Sequence, residues 1–555
     1  MMRPRSRASL YIAIIALAII ASATSAGNGF ALDDVPLVAD NANVHTLHGW
    51  RTLFATSYWP PAYGASLYRP FAMLGFALQW AVGSGAPWVF HFTSIVLYAA
   101  ASALVLGLFL MLLPPAPAFI AAALFAVHPV HAEAVANVVG QTELIVAVAG
   151  LAAAILYLRR RRFGQLDPVA IAGIAALFAI ACLSKESGVL LPVVFVALEL
   201  FAVGEIGDTR RERLRRRIRA VAPLYVTLAV VGVAYLAART MAVGDLLGEK
   251  DVVPIQGIGR LWMMLAVAPH WVRLLAWPAH LSADYSPQQI PVPGGAGAEI
   301  IAGAVTLTAA ALLFAALGTT AGARRDERAV ARLGLWWMAV GLLPVSNLFS
   351  VMVLGERTLF TPSIGAMLLV GAAGSAVWRR SRGKPRGMSV RVGLMTVAGV
   401  LVFAGTVKSR RRERVWHDSA TLVRQTVEDA PRSYRAHFAY GQLLFEDGKR
   451  ADGERHLRLA IALNPTPADV SPLNYLATVY RDAGMCVQAL PLYERALAND
   501  AERPDVRYGL AACLLATGRV EDARRVAREG VQRGDLKALF MDLIARSDSA
   551  VAQGG

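Results

Sequence analysis

The chain has 555 residues, of which 56% are hydrophobic and 17% are charged, and its formal net charge is +16. Ordinary soluble proteins carry roughly 25% charged residues. Because the apolar residues here form long uninterrupted blocks, the composition excludes a single water-soluble core. The basic residues are spread as short clusters and do not form one patch, which argues against a nucleic-acid-binding protein.

Several apolar blocks approach or reach the length of about 20 residues that a membrane-spanning helix needs. We therefore predict an all-α, polytopic transmembrane domain. The clearest blocks are His91–Leu113, Ala220–Ala238, Ile300–Leu317 and Val390–Val407.

The basic clusters lie between these blocks and indicate the topology, since Lys and Arg are enriched in cytoplasmic loops. Placing five clusters in the cytoplasm gives about eleven spans, with the amino terminus inside and the carboxyl-terminal region outside. A sixth cluster, Lys408–Arg414, falls outside and does not fit. The five clusters are Arg3/Arg5/Arg7, Arg159–Arg162, Arg210–Arg219, Arg324/Arg325/Arg328 and Arg379–Arg391.

The predicted membrane topology depends on how two segments are interpreted. Ile258–Asp284 is rich in Trp but contains Pro269 and Pro278, so we predict an interfacial or re-entrant segment. If it spans the membrane instead, the carboxyl-terminal region changes sides. Arg3–Gly27 could be a cleavable signal peptide or a retained first helix, and we favour the helix.

After Arg414 the composition becomes polar, and a period of about 34 residues indicates helix-turn-helix tetratricopeptide repeats. Glycines mark the turn of each of three units, and Pro465 closes the first unit. We expect Trp416–Pro431 to be a docking helix and Leu536–Ala545 a capping helix. Such arrays bind peptides in a concave groove, although stacking alone also explains the small residues of the repeat. The aligned residues are Gly441/Ala477/Ala511, Leu444/Tyr480/Leu514, Gly448/Gly484/Gly518 and Gly453/Ala489/Ala523.

The chain thus divides into five predicted segments. The three cysteines are too few for a metal site or a disulfide framework. Cys486 and Cys513 could meet, but we expect free thiols in the core. The segments are 1–27 (first transmembrane helix), 28–88 (first extracytoplasmic loop), 89–407 (multi-span domain), 408–432 (linker and docking helix) and 433–548 (repeats).

The first predicted outer loop contains adjacent carboxylates, Asp33 and Asp34. Two neighbouring carboxylates repel one another, which can leave one of them able to take a proton from a hydroxyl. The alternative is an ordinary solvated turn or helix cap.

The next predicted outer turn contains His128, His131 and Glu133, followed by Glu143. Two histidines near a carboxylate resemble half of a metal site, but His131 and Glu133 are two positions apart and would not share a helix face. We therefore prefer a hydrogen-bonded polar cluster that faces a substrate cavity, without a metal.

Charged residues at the membrane edge are costly and are candidates for function. Lys185-Glu186 lies between two apolar segments, and Glu356-Arg357 lies just before a later helix. Arg357 presents a planar set of donors that suits a lipid-linked phosphate. In both cases a structural ion pair between the neighbouring residues is the alternative.

These short polar motifs, in this order along the chain, resemble those of the transmembrane-and-tetratricopeptide-repeat protein O-mannosyltransferases, which are GT-C-class glycosyltransferases. The similarity covers nearly the whole chain, although family members commonly have Arg where this chain has Gln141, and eukaryotic members carry longer repeat arrays. The matching pieces are Asp33-Asp34 with Asn41/Asn43, Tyr68-Arg69-Pro70, His128–Val135, Lys185-Glu186, Leu281–Tyr285, Leu343–Leu348 and Glu356-Arg357.

The resemblance implies transfer of mannose, with inversion, from a polyprenyl-phosphate donor to Ser or Thr hydroxyls of a protein acceptor outside the cytoplasm. One carboxylate of Asp33-Asp34 would be the base, and we favour Asp33. Arg357 would hold the phosphate, assisted by Lys185 or Arg69. No metal or other cofactor is needed in this scheme, and the repeats would present the acceptor. The remaining polar residues expected at the cavity are His128, His131, Glu133, Glu143, Glu186, Asp284, Asn347 and Glu356.

Two other classes of function remain open from the sequence. A non-catalytic membrane scaffold would use the repeats to recruit a partner, but an anchor does not need costly charges at the membrane edge. A transporter for lipid-linked sugar would use the same cations. In either case the protein lies in a membrane, the bacterial inner membrane or, in a eukaryote, the endoplasmic reticulum.

Overall fold

The computed structural model describes residues 4–61, 67–164, 166–203, 210–244, 255–285, 289–291, 293–295, 297–317, 327–349, 353–464, 469–534 and 536–554. Within these ranges the chain forms helices and turns and no β-strand, which confirms the all-α prediction. Arg3, Arg324, Arg325 and Pro465 lie outside the described residues. The chain divides into two compact units, residues 1–283 with 292–425 and residues 284–291 with 426–555.

The first unit contains the apolar helices and the polar motifs between them. Short 3₁₀ and π turns connect many of these helices. Its helices are α1 Pro4–Ser22, α2 Pro70–Gly83, α3 Pro87–Leu112, α4 Pro115–Ala126, α5 Ala132–Ala136, α6 Gln141–Arg161, α7 Pro168–Ser184, α8 Leu191–Phe201, α9 Arg210–Val243, α10 Ile258–Ala276, α11 Ala298–Ala316, α12 Glu327–Leu342, α13 Phe360–Arg380 and α14 Gly387–Val415.

In the described part of the chain, eight helical segments are long and apolar enough to cross a membrane, or nine if the pair α4 and α5, bent by 45°, forms one span. The predicted number was about eleven. The difference arises because α2 has 14 residues and α7 has 17. At about 1.5 Å per residue both are shorter than the hydrocarbon core of about 30 Å. Helix length alone therefore leaves the number of spans a prediction.

The outward faces of several helices are strongly apolar. Phe403 on α14 is 72% exposed, Val233 on α9 is 66% exposed and Ile301 on α11 is 62% exposed. Contiguous apolar surface of this kind is rare on soluble proteins and is what lipid covers in membrane proteins. The exposure pattern and the length of these helices identify an integral membrane protein.

Helix α1 is packed into this unit. Ile14 and Ala18 are fully buried, and the Thr24 hydroxyl donates a hydrogen bond of 2.7 Å to the buried Glu413 carboxylate. Thr24 follows α1 directly, so this bond links the end of α1 to α14, and retention of α1 stays a prediction. Helix α10 is not among the eight candidate spans, and whether it crosses the membrane stays a prediction.

The basic cluster at the end of α14, which contradicted the predicted topology, is bound to neighbouring backbone. Lys408 donates to the Ala279 carbonyl, and Arg410 donates to the Ile20 carbonyl at 2.8 Å. Arg412 is only 7% exposed. These contacts give the basic side chains a structural role. Their charge therefore does not by itself indicate on which side of the membrane they lie.

The second unit consists of paired helices and confirms the predicted repeats. Gly448, Gly484 and Gly518 have φ values of 76°, 74° and 80°, a backbone conformation that glycine adopts without strain at a helix end. A helix, α15 Ser419–Asp429, lies within the predicted Trp416–Pro431 segment, and the division between the two compact units falls in it. Its docking role stays a prediction. The repeat helices are α16 Tyr434–Glu446, α17 Arg450–Leu463, α18 Ser471–Asp482, α19 Cys486–Asn499, α20 Pro504–Ala516, α21 Val520–Arg533 and the capping helix α22 Lys537–Gly554.

The expectation of free thiols is wrong for two of the three cysteines. Cys486 at the start of α19 and Cys513 in α20 form a disulfide, with Cα atoms 5.0 Å apart. The packing of adjacent repeat helices brings these positions together, which spacing along the chain did not reveal. Cys182 is free and buried.

Candidate active site

The two adjacent carboxylates, Asp33 and Asp34, have different environments. The Asp34 side chain is fully buried and accepts backbone hydrogen bonds from Val138 at 3.1 Å and Val139 at 2.9 Å. Burial raises the pKa of Asp34 to about 7, although these backbone donors oppose the rise. Asp34 thus fastens the segment after α1 to the turn before α6.

The Asp33 side chain is 33% exposed and contacts Arg357, whose Nη1 lies 3.0 Å from Asp33 Oδ2. Glu133 contacts the same arginine twice. Its Oε1 lies 3.6 Å from Arg357 Nε, and its Oε2 accepts from the Arg357 backbone N–H at 2.9 Å. Arg357 therefore joins two carboxylates from distant parts of the sequence, and one of them is accessible.

A second charged group lies in the same unit. Arg69 donates to Glu186 through Nε at 3.1 Å and Nη2 at 2.8 Å, and Arg239 Nη1 lies 3.5 Å from the same carboxylate. Burial alone would raise the pKa of Glu186, but the charge and hydrogen bonds of Arg69, together with a backbone hydrogen bond and the charge of Lys185, lower it. The Arg69 guanidinium also lies 5.0 Å from the centre of the Tyr58 ring.

Lys185 pairs with Glu143 and not with its neighbour Glu186. Each residue forms an ion pair with a distant residue, so the alternative of a pair between Lys185 and Glu186 themselves is wrong, because the backbone at Lys185 is extended and the two side chains reach different partners. Lys185 and Glu143 also line a partly open cavity between α6, α7, α8, α12 and α13. Most of its other lining residues are apolar, including Leu151, Leu191 and Trp337.

The two histidines are buried and bonded to protein groups. His131 lies 2.8 Å from the Ser363 hydroxyl and 3.1 Å from the Tyr98 hydroxyl. His128 donates to the Leu275 carbonyl at 3.1 Å. The described residues include no group of three or more His, Cys, Asp or Glu side chains that could hold a metal ion.

The other predicted cavity residues have different surroundings. Glu356 accepts from the Ser282 backbone N–H at 2.6 Å, and the alternative of a turn-stabilising pair with Arg357 stays a prediction. Asn347 is fully buried and bonds both backbone groups of Val353. Asp284 belongs to the repeat unit, where it accepts from the Ser433 hydroxyl at 2.5 Å. A place for Asp284 at the cavity stays a prediction.

Sequence reasoning missed Tyr58 and Arg239. Arg239 is 3% exposed and lies near the end of the apolar part of α9, so an ionisable residue at the end of a membrane span was an available signal. Tyr58 precedes Trp59-Pro60-Pro61 in a loop, and its aromatic character there was a weaker signal.

Helical membrane segments, a repeat array and a cluster of paired charges define a polytopic membrane protein with tetratricopeptide repeats. Tetratricopeptide-repeat family models match residues 407–466 and 480–540. Protein O-mannosyl-transferase TMTC4 of Homo sapiens is 24% identical over 79% of this chain and 64% of its own length. Protein O-mannosyl-transferase TMTC3 of Mus musculus is 27% identical over 71% of this chain and 44% of its own length.

Protein O-mannosyl-transferase Tmtc2 of Drosophila melanogaster is 34% identical over 36% of this chain and 22% of its own length. The chain is thus a relative of the protein O-mannosyl-transferases and spans less than two thirds of the length of these three relatives.

Among solved structures, the Archaeoglobus fulgidus oligosaccharyltransferase tethered with an acceptor peptide has a TM-score of 0.40 at 12% identity, covering 84% of this chain and 60% of its own. ArnT from Cupriavidus metallidurans, bound to undecaprenyl phosphate, has a TM-score of 0.36 at 13% identity. The match covers 95% of this chain and 80% of the ArnT chain. Both TM-scores are too low to establish a shared fold.

Proposed function

We propose that this chain is a GT-C-type glycosyltransferase that moves a mannosyl group from a polyprenyl-phosphate donor to a Ser or Thr hydroxyl of a protein. The observation that carries the proposal is the contact between the accessible Asp33 carboxylate and Arg357, which also binds Glu133. A base and a phosphate-binding cation are the two groups that such a transfer needs side by side. The names of the relatives support the same reaction.

Asp33 acts as the general base. It is partly exposed, whereas Asp34 is buried and bonded to backbone N–H groups. In the reaction the acceptor oxygen forms a bond to the anomeric carbon, its proton passes to Asp33, and the bond from that carbon to the phosphate oxygen breaks. The electron pair leaves with the polyprenyl phosphate, and attack from the opposite face inverts the anomeric centre.

Arg357 binds the phosphate. In the absence of donor it neutralises Asp33. When a phosphate approaches, the guanidinium can turn its donors toward it, and Asp33 then becomes a better proton acceptor because it loses its cationic partner. Arg69 is close enough to Arg357 to act on its charge and could assist it, as could Lys185, although each is already paired with a carboxylate.

The mainly apolar cavity that Lys185 and Glu143 line suits the isoprenoid chain of the donor, because it offers apolar walls beside charged groups. A lipid monophosphate carries a modest negative charge, and fixed arginine and lysine side chains are sufficient to neutralise it. The proposed reaction therefore needs no metal.

The repeats present the acceptor protein on the extracytoplasmic side, the periplasm of a bacterium or the lumen of the endoplasmic reticulum. The Cys486–Cys513 disulfide supports this side, since disulfides persist in oxidising compartments. Protease added to intact spheroplasts should cut the repeats, and full protection of the repeats would contradict this orientation. A chain ended after Gln425 should lose transfer to proteins, and an undiminished rate would refute the presenting role.

The reaction is tested with purified protein, radiolabelled polyprenyl-phosphate mannose and candidate acceptor proteins. Wild type should label the acceptor, and Asp33→Asn should lower the rate by about 10² to 10⁴, the usual contribution of a general base. Asp40→Asn is the matched control, because Asp40 is an exposed carboxylate in the same loop. A folded wild type that transfers no sugar from any such donor would refute the proposal and favour a scaffold or a transporter.

A further inference from the structure

Tyr58 lies in the apolar core of the first loop, and its ring is firmly held. The residue is only 2% exposed, and its backbone N–H donates to the Leu67 carbonyl at 2.7 Å. The ring packs in a cluster with Leu53 and Leu67, and the Arg69 guanidinium lies 5.0 Å from its centre. The orientation of the phenol is therefore fixed before any ligand binds.

The Tyr58 hydroxyl is buried and has no hydrogen-bond partner among the described residues. Buried polar groups in native proteins nearly always have a partner, so an exception calls for an explanation. Tyr68 in the same loop shows the ordinary case, because its hydroxyl donates to the Phe54 carbonyl at 2.9 Å. A ligand that accepts a hydrogen bond would satisfy Tyr58.

The charges around Tyr58 indicate which ligand this is. Arg69, Arg357, Asp33 and Asp34 are all close enough to act on its hydroxyl electrostatically. Burial raises the pKa of the Tyr58 phenol, and the two arginines oppose this only in part. The phenol therefore stays protonated and serves as a donor. A donor beside two guanidinium groups suits an anion, and a phosphate oxygen accepts such a bond more strongly than a sugar hydroxyl does.

We propose that the Tyr58 hydroxyl donates a hydrogen bond to a phosphate oxygen of the lipid-linked donor, between Arg357 and Arg69. The identity of the donor rests on the proposed function, whereas the phosphate site itself does not. Tyr58 binds the phosphate in the ground state and stabilises the charge that develops on it as the bond to the sugar breaks.

Tyr58→Phe tests this proposal because it removes one oxygen and keeps the ring. Binding of polyprenyl phosphate without sugar should weaken roughly 10- to 100-fold, as expected for loss of a hydrogen bond to a charged group. Binding of the uncharged polyprenol should not change. Tyr68→Phe, the matched control, should bind both lipids like wild type. Phosphate binding by Tyr58→Phe at the wild-type level, or an equal loss for both lipids, would overturn the proposal.

A thermal unfolding measurement separates this role from a structural one. Without ligand, Tyr58→Phe should melt no lower than wild type, since its hydroxyl has no hydrogen-bond partner to lose in the described part of the chain, whereas Tyr68→Phe should melt lower. Polyprenyl phosphate should then raise the melting temperature of wild type more than that of Tyr58→Phe. A lower melting temperature for ligand-free Tyr58→Phe would show that the hydroxyl has a structural partner and would count against the proposal.

Sugar transfer distinguishes failure of this inference from failure of the proposed function. If Tyr58→Phe loses phosphate binding but wild type transfers no sugar, the phosphate site stands and the proposed function falls. If wild type transfers sugar and Tyr58→Phe binds and transfers equally well, the proposed function stands and this inference falls.

Discussion

The buried Asp34 carboxylate should make the stability of the protein depend on pH. Its pKa is about 7 in the folded protein and 3.8 without the fold, so the folded state holds this proton more tightly than the unfolded state. The stabilisation from Asp34 is fully present below pH 3.8 and is lost as the pH rises through 7. At 1.36 kcal/mol for each pH unit between the two pKa values, the free energy of unfolding should fall by about 4 kcal/mol from pH 4 to pH 8.

Asp34→Asn is the perturbation that isolates this effect. The amide does not titrate, so the variant should lack this part of the pH dependence while keeping that of every other group. The free energy of unfolding is measured by denaturant titration of the purified protein in detergent at several pH values between 4 and 8. Asp40→Asn, which changes an exposed carboxylate, should keep the wild-type slope. Equal pH dependence in wild type and Asp34→Asn would refute the reasoning.

Two further predictions concern paired side chains. Lys185→Met leaves the Glu143 carboxylate buried without its partner, so it should lower the free energy of unfolding by about 3–5 kcal/mol. The double variant with Glu143→Leu should regain stability but transfer sugar slowly, and wild-type transfer by the double variant would contradict a role for Lys185 at the phosphate. Cys486→Ser should lower the stability of the repeat unit by about 2–4 kcal/mol, as should a reductant acting on wild type. Cys182→Ser should show no such loss, and a wild-type melting temperature that a reductant does not change would contradict the disulfide.

The helices and repeats could be predicted because they depend on local sequence. Apolar blocks of membrane length and the recurring turn glycines report properties of neighbouring residues. Gly484, for example, has the positive φ that its place in the repeat predicted. The number of membrane spans was harder to predict from the sequence, since α7 is apolar but short.

The candidate site could be predicted as a set of residues but not as a set of partners. The sequence suggested an ion pair between the neighbours Lys185 and Glu186, yet each of them contacts a residue far away in the sequence. Arg357 reaches Asp33 across 324 positions. No local pattern encodes such a contact, because it depends on how the helices pack.

The sequence by itself determined that the chain crosses a membrane, that helical repeats follow the membrane domain and that its charged motifs resemble those of protein O-mannosyltransferases. Only the tertiary structure separated the accessible Asp33 from the buried Asp34, joined Cys486 to Cys513 and showed that the buried Tyr58 hydroxyl has no hydrogen-bond partner within the described ranges. The physical reason is that hydrophobicity and backbone preference are properties of short segments. Burial and charge pairing, in contrast, are properties of the packed chain.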